Sequence, residues 1–357
     1  MMASPLTLDL VDGVAELEPV ERAGRAHTGS PGTGPPASSG VPETMRRLRS
    51  LALACLLTVA VLTGCAATTP GPSESAAESP AGIPTATVPT PDLGPVVEED
   101  LIGLEQEYDA TIGVVAVDTA TGESVSYGGD RRFGFASTIK VFAAAEFLRS
   151  VHGSDRDELV HWTVEEADAA GHAPVTSQHV EDGLTYAQLA EAAVRFSDNA
   201  ALNLILDRIG GPAALDAALA ALGDATTEVV NDEPTLNTIE PDSTQDTTTA
   251  AAFTASLGTI LDGSTLSAAD EALLIDWMSD NRTGDALIRA GAPDGWVVAD
   301  KSGGAGPIRN DIALVTPPGE EPIIITVMSS RNDPDATFDD ALVARTASIV
   351  LNALDRS

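Results

Sequence analysis

Lysine is scarce in this chain, and both copies stand beside hydroxyl groups. Against seventeen arginines there are two lysines, Lys140 and Lys301. Arginine keeps its proton in any protein setting, whereas a lysine amine can be desolvated into a neutral base. Lys140 closes Ser137-Thr138-Ile139-Lys140 at the head of a helical pattern, where three-residue spacing puts hydroxyl and amine on one face. A helix start favours negative charge developing at Ser137. A serine hydroxyl is a poor nucleophile until a neighbour takes its proton, and this amine is placed to do so. Lys301 lies in Asp300-Lys301-Ser302-Gly303-Gly304, after the strand pattern Trp296 to Ala299. Cation, hydroxyl and glycines there make a strand edge that an anionic, amide-bearing substrate can approach closely. Between the lysines, Ser197-Asp198-Asn199 opens a helix after Phe196, where Asp198 alone would read as an N-cap. Glu233-Pro234-Thr235-Leu236-Asn237 puts a carboxylate and an amide four residues apart in an acidic loop, able to hold one water. Singly, each stretch also has an ordinary structural reading; Ser-x-x-Lys by itself is a weak signal.

The composition narrows what these residues can serve. The 357-residue chain has 54 acidic against 19 basic side chains, and its formal charge of −35 disfavours nucleic acid or an anionic lipid surface as partner. With 43% hydrophobic and 4% aromatic residues, the core must be aliphatic and alanine-rich, in one large domain or two modest ones. Neither lysine lies in a Gly-rich phosphate loop, no histidine pair has zinc spacing, and Gly-x-Ser-x-Gly is missing, so no metal, nucleotide or other cofactor is expected. His152, His161, His172 and His179 are scattered through a polar connecting region and read as solvated.

The N-terminus reads as targeting. Residues 1–44 show no helical or strand period and end before Met45, which reads as the true start. Met45-Arg46-Arg47-Leu48-Arg49 then precedes the uncharged run Leu51 to Leu62, the length of a signal-peptide core and short for a membrane span. Leu62-Thr63-Gly64-Cys65 resembles the bacterial lipobox, making 45–64 a signal peptide, Cys65 a lipidation site and the Pro-, Ser- and Thr-rich 65–92 a tether. The expectation is an exported protein held to the outer face of the cell membrane by that lipid alone; a secreted form is the alternative. Cys55 and Cys65 are the two cysteines, so no disulfide framework supports the fold.

Downstream, period and turn residues predict the elements that must position the four stretches. Apolar spacing predicts a helix over 93–108, then strands over 111–118 and 124–127 around a Gly122 turn. Helical patterns follow over 138–148, 186–209, 212–222, 248–261 and 267–278. Strands return over 295–302, 310–316 and 322–329, and a helix over 338–354 closes the chain. Two strands before a helical block and three after it predict an α+β fold: a five-stranded antiparallel sheet flanked by helices, with an inserted all-helical part. The sheet part would comprise 93–133 and 285–357, and the helical part 134–284.

Order and interval join the four stretches. From Ser137 to Ser197 is 60 residues, on to Glu233 is 36, and to Lys301 a further 68. Ser-x-x-Lys, Ser-Asp-Asn and a Lys-Thr-Gly-like triplet in this order resemble the signature of class A serine β-lactamases. The resemblance runs from about Leu93 to the C-terminus and includes Phe135-Ala136 and Asn203. It implies a monomer that hydrolyses β-lactam antibiotics. Ser137 would be the nucleophile, Lys140 or Glu233 its base, and the N–H groups of Ser137 and Gly304 the oxyanion hole. Ser197 would relay a proton to the leaving nitrogen, and Asn199 would bind the substrate's side-chain amide. Glu233 with Asn237 would activate the deacylating water, while Lys301, Ser302 and Arg309, beside Gly303, would hold the substrate carboxylate.

Four departures from the family pattern accompany this. Ser302 stands where threonine is commoner, the segment Gly304 to Arg309 is one residue short, and His172 takes the place of a flanking aromatic ring. Asn231 replaces an arginine that would pair with Asp246, which predicts a mobile loop and a poorly held water. Two other readings share part of the motif set. A penicillin-binding D-Ala-D-Ala peptidase would not need Glu233 and Asn237, and a degenerate lipoprotein that binds β-lactam or peptidoglycan would not need Ser137, Lys140 and Ser197.

Overall fold

The computed structural model describes residues 92–355; the start-codon, signal-peptide, Cys65 and tether expectations lie outside them. In chain order, α1 (Gly94–Tyr108) leads into β1 (Ala110–Asp118), β2 (Ser124–Tyr127) and the short β3 (Arg132–Gly134). A 3-10 turn (Ala136–Thr138) feeds α2 (Ile139–Ser150), followed by β4 (Leu159–Val160), α3 (Val164–Ala170) and β5 (Leu184–Thr185). The helical block continues as α4 (Tyr186–Arg195), α5 (Asn199–Ile209) and α6 (Pro212–Ala221), then β6 (Thr247–Thr249), α7 (Ala250–Ile260), α8 (Ala268–Ser279) and α9 (Ile288–Gly291). The chain returns through β7 (Val297–Ala305), β8 (Ile308–Thr316) and β9 (Ile323–Arg331) to α10 (Asp340–Leu354).

Strands β1, β2, β7, β8 and β9 form one five-stranded antiparallel sheet, as the period changes predicted, and the structure gives its order as β2-β1-β9-β8-β7. Because side chains alternate across a strand, Ile112, Val114, Ala313, Val315, Ile325 and Val327 share one face. They pack with Val97, Leu101 and Leu104 of α1 and Val343, Val350 and Leu351 of α10 in a single aliphatic core. Complete burial of each such Leu, Ile or Val side chain contributes about 1.5–3 kcal/mol. The opposite face carries Lys301, whose neighbours across the ladder are Ile312 and Thr326. Thr326 Oγ1 accepts from Thr254 Oγ1 of α7 at 2.9 Å. Phe253 of α7 in turn packs on Phe135 and Phe142, beside the turn that carries Ser137.

Three expectations shift. The helix expected over 186–209 is two helices, broken at Phe196-Ser197-Asp198, with Ser197 at φ +56° and Asp198 capping α5 by accepting from Ala201 N at 2.9 Å. The strand expected over 295–302 begins at Val297 and runs on to Ala305, because its ladder with β8 continues to the Gly306 turn, where φ is +52°. The β3–β6 pair, Phe133 opposite Thr248, and the β4–β5 pair are too short to leave a periodic signal.

Candidate active site

The Ser137 turn is wedged between α2 and the edge strand β7. Thr138 Oγ1 donates to Phe135 O at 2.5 Å, and Asn310 Nδ2, buried on β8, donates to Gly134 O at 2.8 Å and Phe135 O at 3.3 Å. A Cβ at Gly303 would lie 3.0 Å from both Phe135 O and Thr138 N, so glycine is what lets the strand reach the turn. Ala136 (φ +47°) and Ser197 (φ +56°) hold left-handed backbone on either side of the nucleophile. Such positions cost on the order of 1–3 kcal/mol each and gather where geometry is functional.

Lys140 is the hub. Its side chain is fully buried, and Nζ lies 2.7 Å from Ser137 Oγ, 2.6 Å from Asn199 Oδ1, 2.9 Å from Glu233 Oε1 and 3.1 Å from Ser197 O. An ammonium has three protons for these four oxygens; a neutral amine can accept from Ser137 and still donate twice. Burial pushes the Lys140 amine below its ordinary range, and Glu233 acts against that shift. Lys301 is equally buried, donating to Ser302 O at 2.7 Å and to Ser197 Oγ at 3.2 Å. Desolvation, together with the charge of Lys140, brings it down to about 7.

Glu233, read from the sequence as a water-holding carboxylate in an acidic loop, is 3% exposed. Asn203 of α5 grips its backbone, accepting from Glu233 N at 2.9 Å and donating to Glu233 O at 2.8 Å, which turns the carboxylate inward. Asn237 Nδ2 donates to Glu233 Oε2 at 2.5 Å, while Asn237 Oδ1 is buried without a protein partner. The expected loosening at Asn231 has a counterpart instead. Asp246, 1% exposed, accepts from Val230 N and Asn231 N at 3.0 Å each and from Asn231 Nδ2 at 2.6 Å. Three neutral donors thus close the neck of the loop where an arginine was expected.

Every expected site residue from Ser137 to Arg309 converges. Ser137, Ser197, Asn199, Asn237, Ser302, Gly303, Gly304 and Arg309 line one cleft of ≈ 340 Å³, with Lys140, Glu233 and Lys301 beneath it. Asn199 Nδ2 donates to Ala170 O at 2.9 Å, and His172 lies at the rim, its Nε2 3.2 Å from Phe196 O. Ser302 Oγ meets Thr283 Oγ1 at 2.6 Å. Arg309 faces the cleft opposite Gly304, with Nε donating to Asp340 at 2.7 Å and its guanidinium 4.6 Å from the Phe338 ring. Sequence reasoning missed Asn310, Thr283, Phe338 and Asp340; their partners lie far along the chain, and no motif marks them. An apolar pocket of ≈ 190 Å³ between α2 and α6 contains none of these groups. Among the described residues, no three His, Cys, Asp or Glu side chains are arranged to hold a metal.

Comparison with known proteins agrees with this geometry. The model of the β-lactamase enzyme family matches residues 97–354. A β-lactamase of Bacillus licheniformis is 44% identical over 260 residues, covering 72% of this chain and 84% of that protein. One from Amycolatopsis lactamdurans is 45% identical over 272 residues, covering 76% and 88%. The crystal structure of a class A β-lactamase from Clostridium kluyveri superposes with a TM-score of 0.69 at 40% identity, covering 72% of this chain and 97% of that one.

Proposed function

The chain belongs to the β-lactamase enzyme family, as a class A serine enzyme that hydrolyses β-lactams, and we propose that Ser137 carries the acyl group in that reaction. The observation that carries this reading is one desolvated amine in contact with both Ser137 Oγ and Glu233 Oε1. Ser137 Oγ attacks the lactam carbonyl and its proton passes to Lys140; no direct hydrogen bond joins Glu233 to Ser137, so Glu233 is one transfer further away. The N–H groups of Ser137 and Gly304, brought close by the bare Gly303, receive the developing oxyanion. Ser197 Oγ, next to Lys301, hands a proton to the lactam nitrogen as the C–N bond breaks.

Deacylation follows at the Glu233 side. A water donating to Glu233 and to the unpartnered Asn237 Oδ1 would be held by two acceptors, and Glu233 removes its proton as it attacks the ester. Lys301, Ser302 and Arg309 hold the substrate carboxylate, supplying local positive charge in a protein of −35 net charge, and Asn199 meets the side-chain amide. The buried Lys140–Glu233 pair favours turnover over the peptidase and binding-only readings. Purified protein should hydrolyse nitrocefin and benzylpenicillin and show no lasting adduct by intact mass. A persistent adduct on Ser137 without turnover would move the assignment to a peptidase or a binding protein.

The anchor and the assembly are part of the proposal. Leu62-Thr63-Gly64-Cys65 supports export and lipidation of Cys65. One chain supplies every catalytic group, which supports a monomer. Replacing Cys65 by Ser should release the protein from membranes, and unchanged partitioning would remove the claim.

A further inference from the structure

We propose that Phe338 is a specificity-determining wall of the cleft, reading the substituent carried on the ring atom beside the substrate carboxylate; this rests on the carboxylate subsite assigned above. Phe133, Phe135, Phe142, Phe147 and Phe253 are buried, whereas Phe338 is 37% exposed and lines the same cleft as Ser137. Its place is fixed from three sides. Its backbone N–H donates to Gly306 O at 3.1 Å, tying the segment before α10 to the β7–β8 turn. A Cβ at Gly304 would lie 3.0 Å from Arg309 Nη1 and 3.1 Å from Phe338 Cε1, so the ring edge and the guanidinium both rest against the bare backbone of β7. The Arg309 guanidinium lies over the ring at 4.6 Å, with its Nε held by Asp340.

These contacts cover one face of Arg309 with the Phe338 ring, while Arg309 shares the cleft with Ser302, in the subsite assigned above to the carboxylate. In a cephalosporin the carbon next to the carboxylate-bearing atom carries the variable ring substituent. With the carboxylate on Arg309, that substituent comes against the exposed part of the Phe338 ring. A flat apolar or aromatic group gains contact there, and a methyl group gains little.

The test uses two cephalosporins with one common acyl side chain, bearing methyl or styryl at that ring position. In Phe338→Ala, kcat/KM for the styryl compound should fall roughly two- to ten-fold relative to that for the methyl compound. Phe338→Tyr should restore the parent ratio. A loss that is equal for the two compounds would mean the ring serves Arg309 alone, and no loss for either would mean it touches no substrate; both overturn the proposal. If the unaltered protein hydrolyses neither compound, the acyl-enzyme reading fails with it. Hydrolysis of both with an unaltered ratio in Phe338→Ala refutes the wall alone.

Discussion

The surroundings of Lys140 and of Lys301 set one side chain type to two tasks. Both amines are completely buried, and desolvation pulls both down. Lys140 faces a nucleophile and is countered by Glu233 at 2.9 Å. Lys301 touches only neutral oxygens, and the charges of Asp300 and Asp311 offset only part of its desolvation and of the repulsion from Lys140. A lysine beside a serine and a carboxylate becomes a proton relay. A lysine beside hydroxyls on a strand edge, at about 7, becomes an anchor whose charge the substrate itself completes.

The contrast breaks most sharply at Lys140. Lys140→Arg keeps a positive charge but cannot give up a proton, so acylation should fall about 10²–10⁴-fold at every accessible pH, read by single-turnover kinetics with nitrocefin. Retained acylation would shift the base to Glu233. At Lys301 the effect is smaller and lies in binding. Its ammonium is present below pH about 7 and lost as pH rises through that value, so kcat/KM for carboxylate-bearing substrates should decline on the alkaline side through KM, while kcat, which reports the complex, holds to higher pH. Lys301→Met should remove that limb; an unchanged profile in the variant would assign it elsewhere. The smallest effect belongs to the loop neck. Asn231→Ala leaves one oxygen of buried Asp246 short of a donor and should cost about 1–3 kcal/mol, seen as a lower Tm. An unchanged Tm would mean that the two backbone N–H groups suffice.

The chemistry was legible in the sequence because two scarce lysines stand beside hydroxyls and the order and intervals of four weak stretches join them. The sheet was legible because four of its strands are nine residues long and carry a period, and the short β2 is marked by the Gly122 turn. Asn203, Asn310 and Asp340 were not assigned roles, since each acts through a partner 30 or more residues away that no local pattern reveals. Asp246 teaches a finer lesson. A missing arginine suggested a loose loop, yet a carboxylate can be satisfied by backbone N–H groups, and those are invisible in side-chain identities. The break inside 186–209 was legible only in part: Asp198 reads as a cap that opens a helix, yet alanines and leucines on both sides continue the helical period across it.

The division of labour around Lys140 is tested most directly by time-resolved intact mass of Glu233→Gln with benzylpenicillin. Removing the carboxylate takes away what holds the Lys140 amine toward its charged form, so Ser137 should still be acylated, while the water loses its base. The account predicts an adduct on Ser137 that forms within the first turnover and persists, with kcat reduced about 10²–10⁴-fold. A variant that turns over at the parent rate with no accumulating adduct would contradict it.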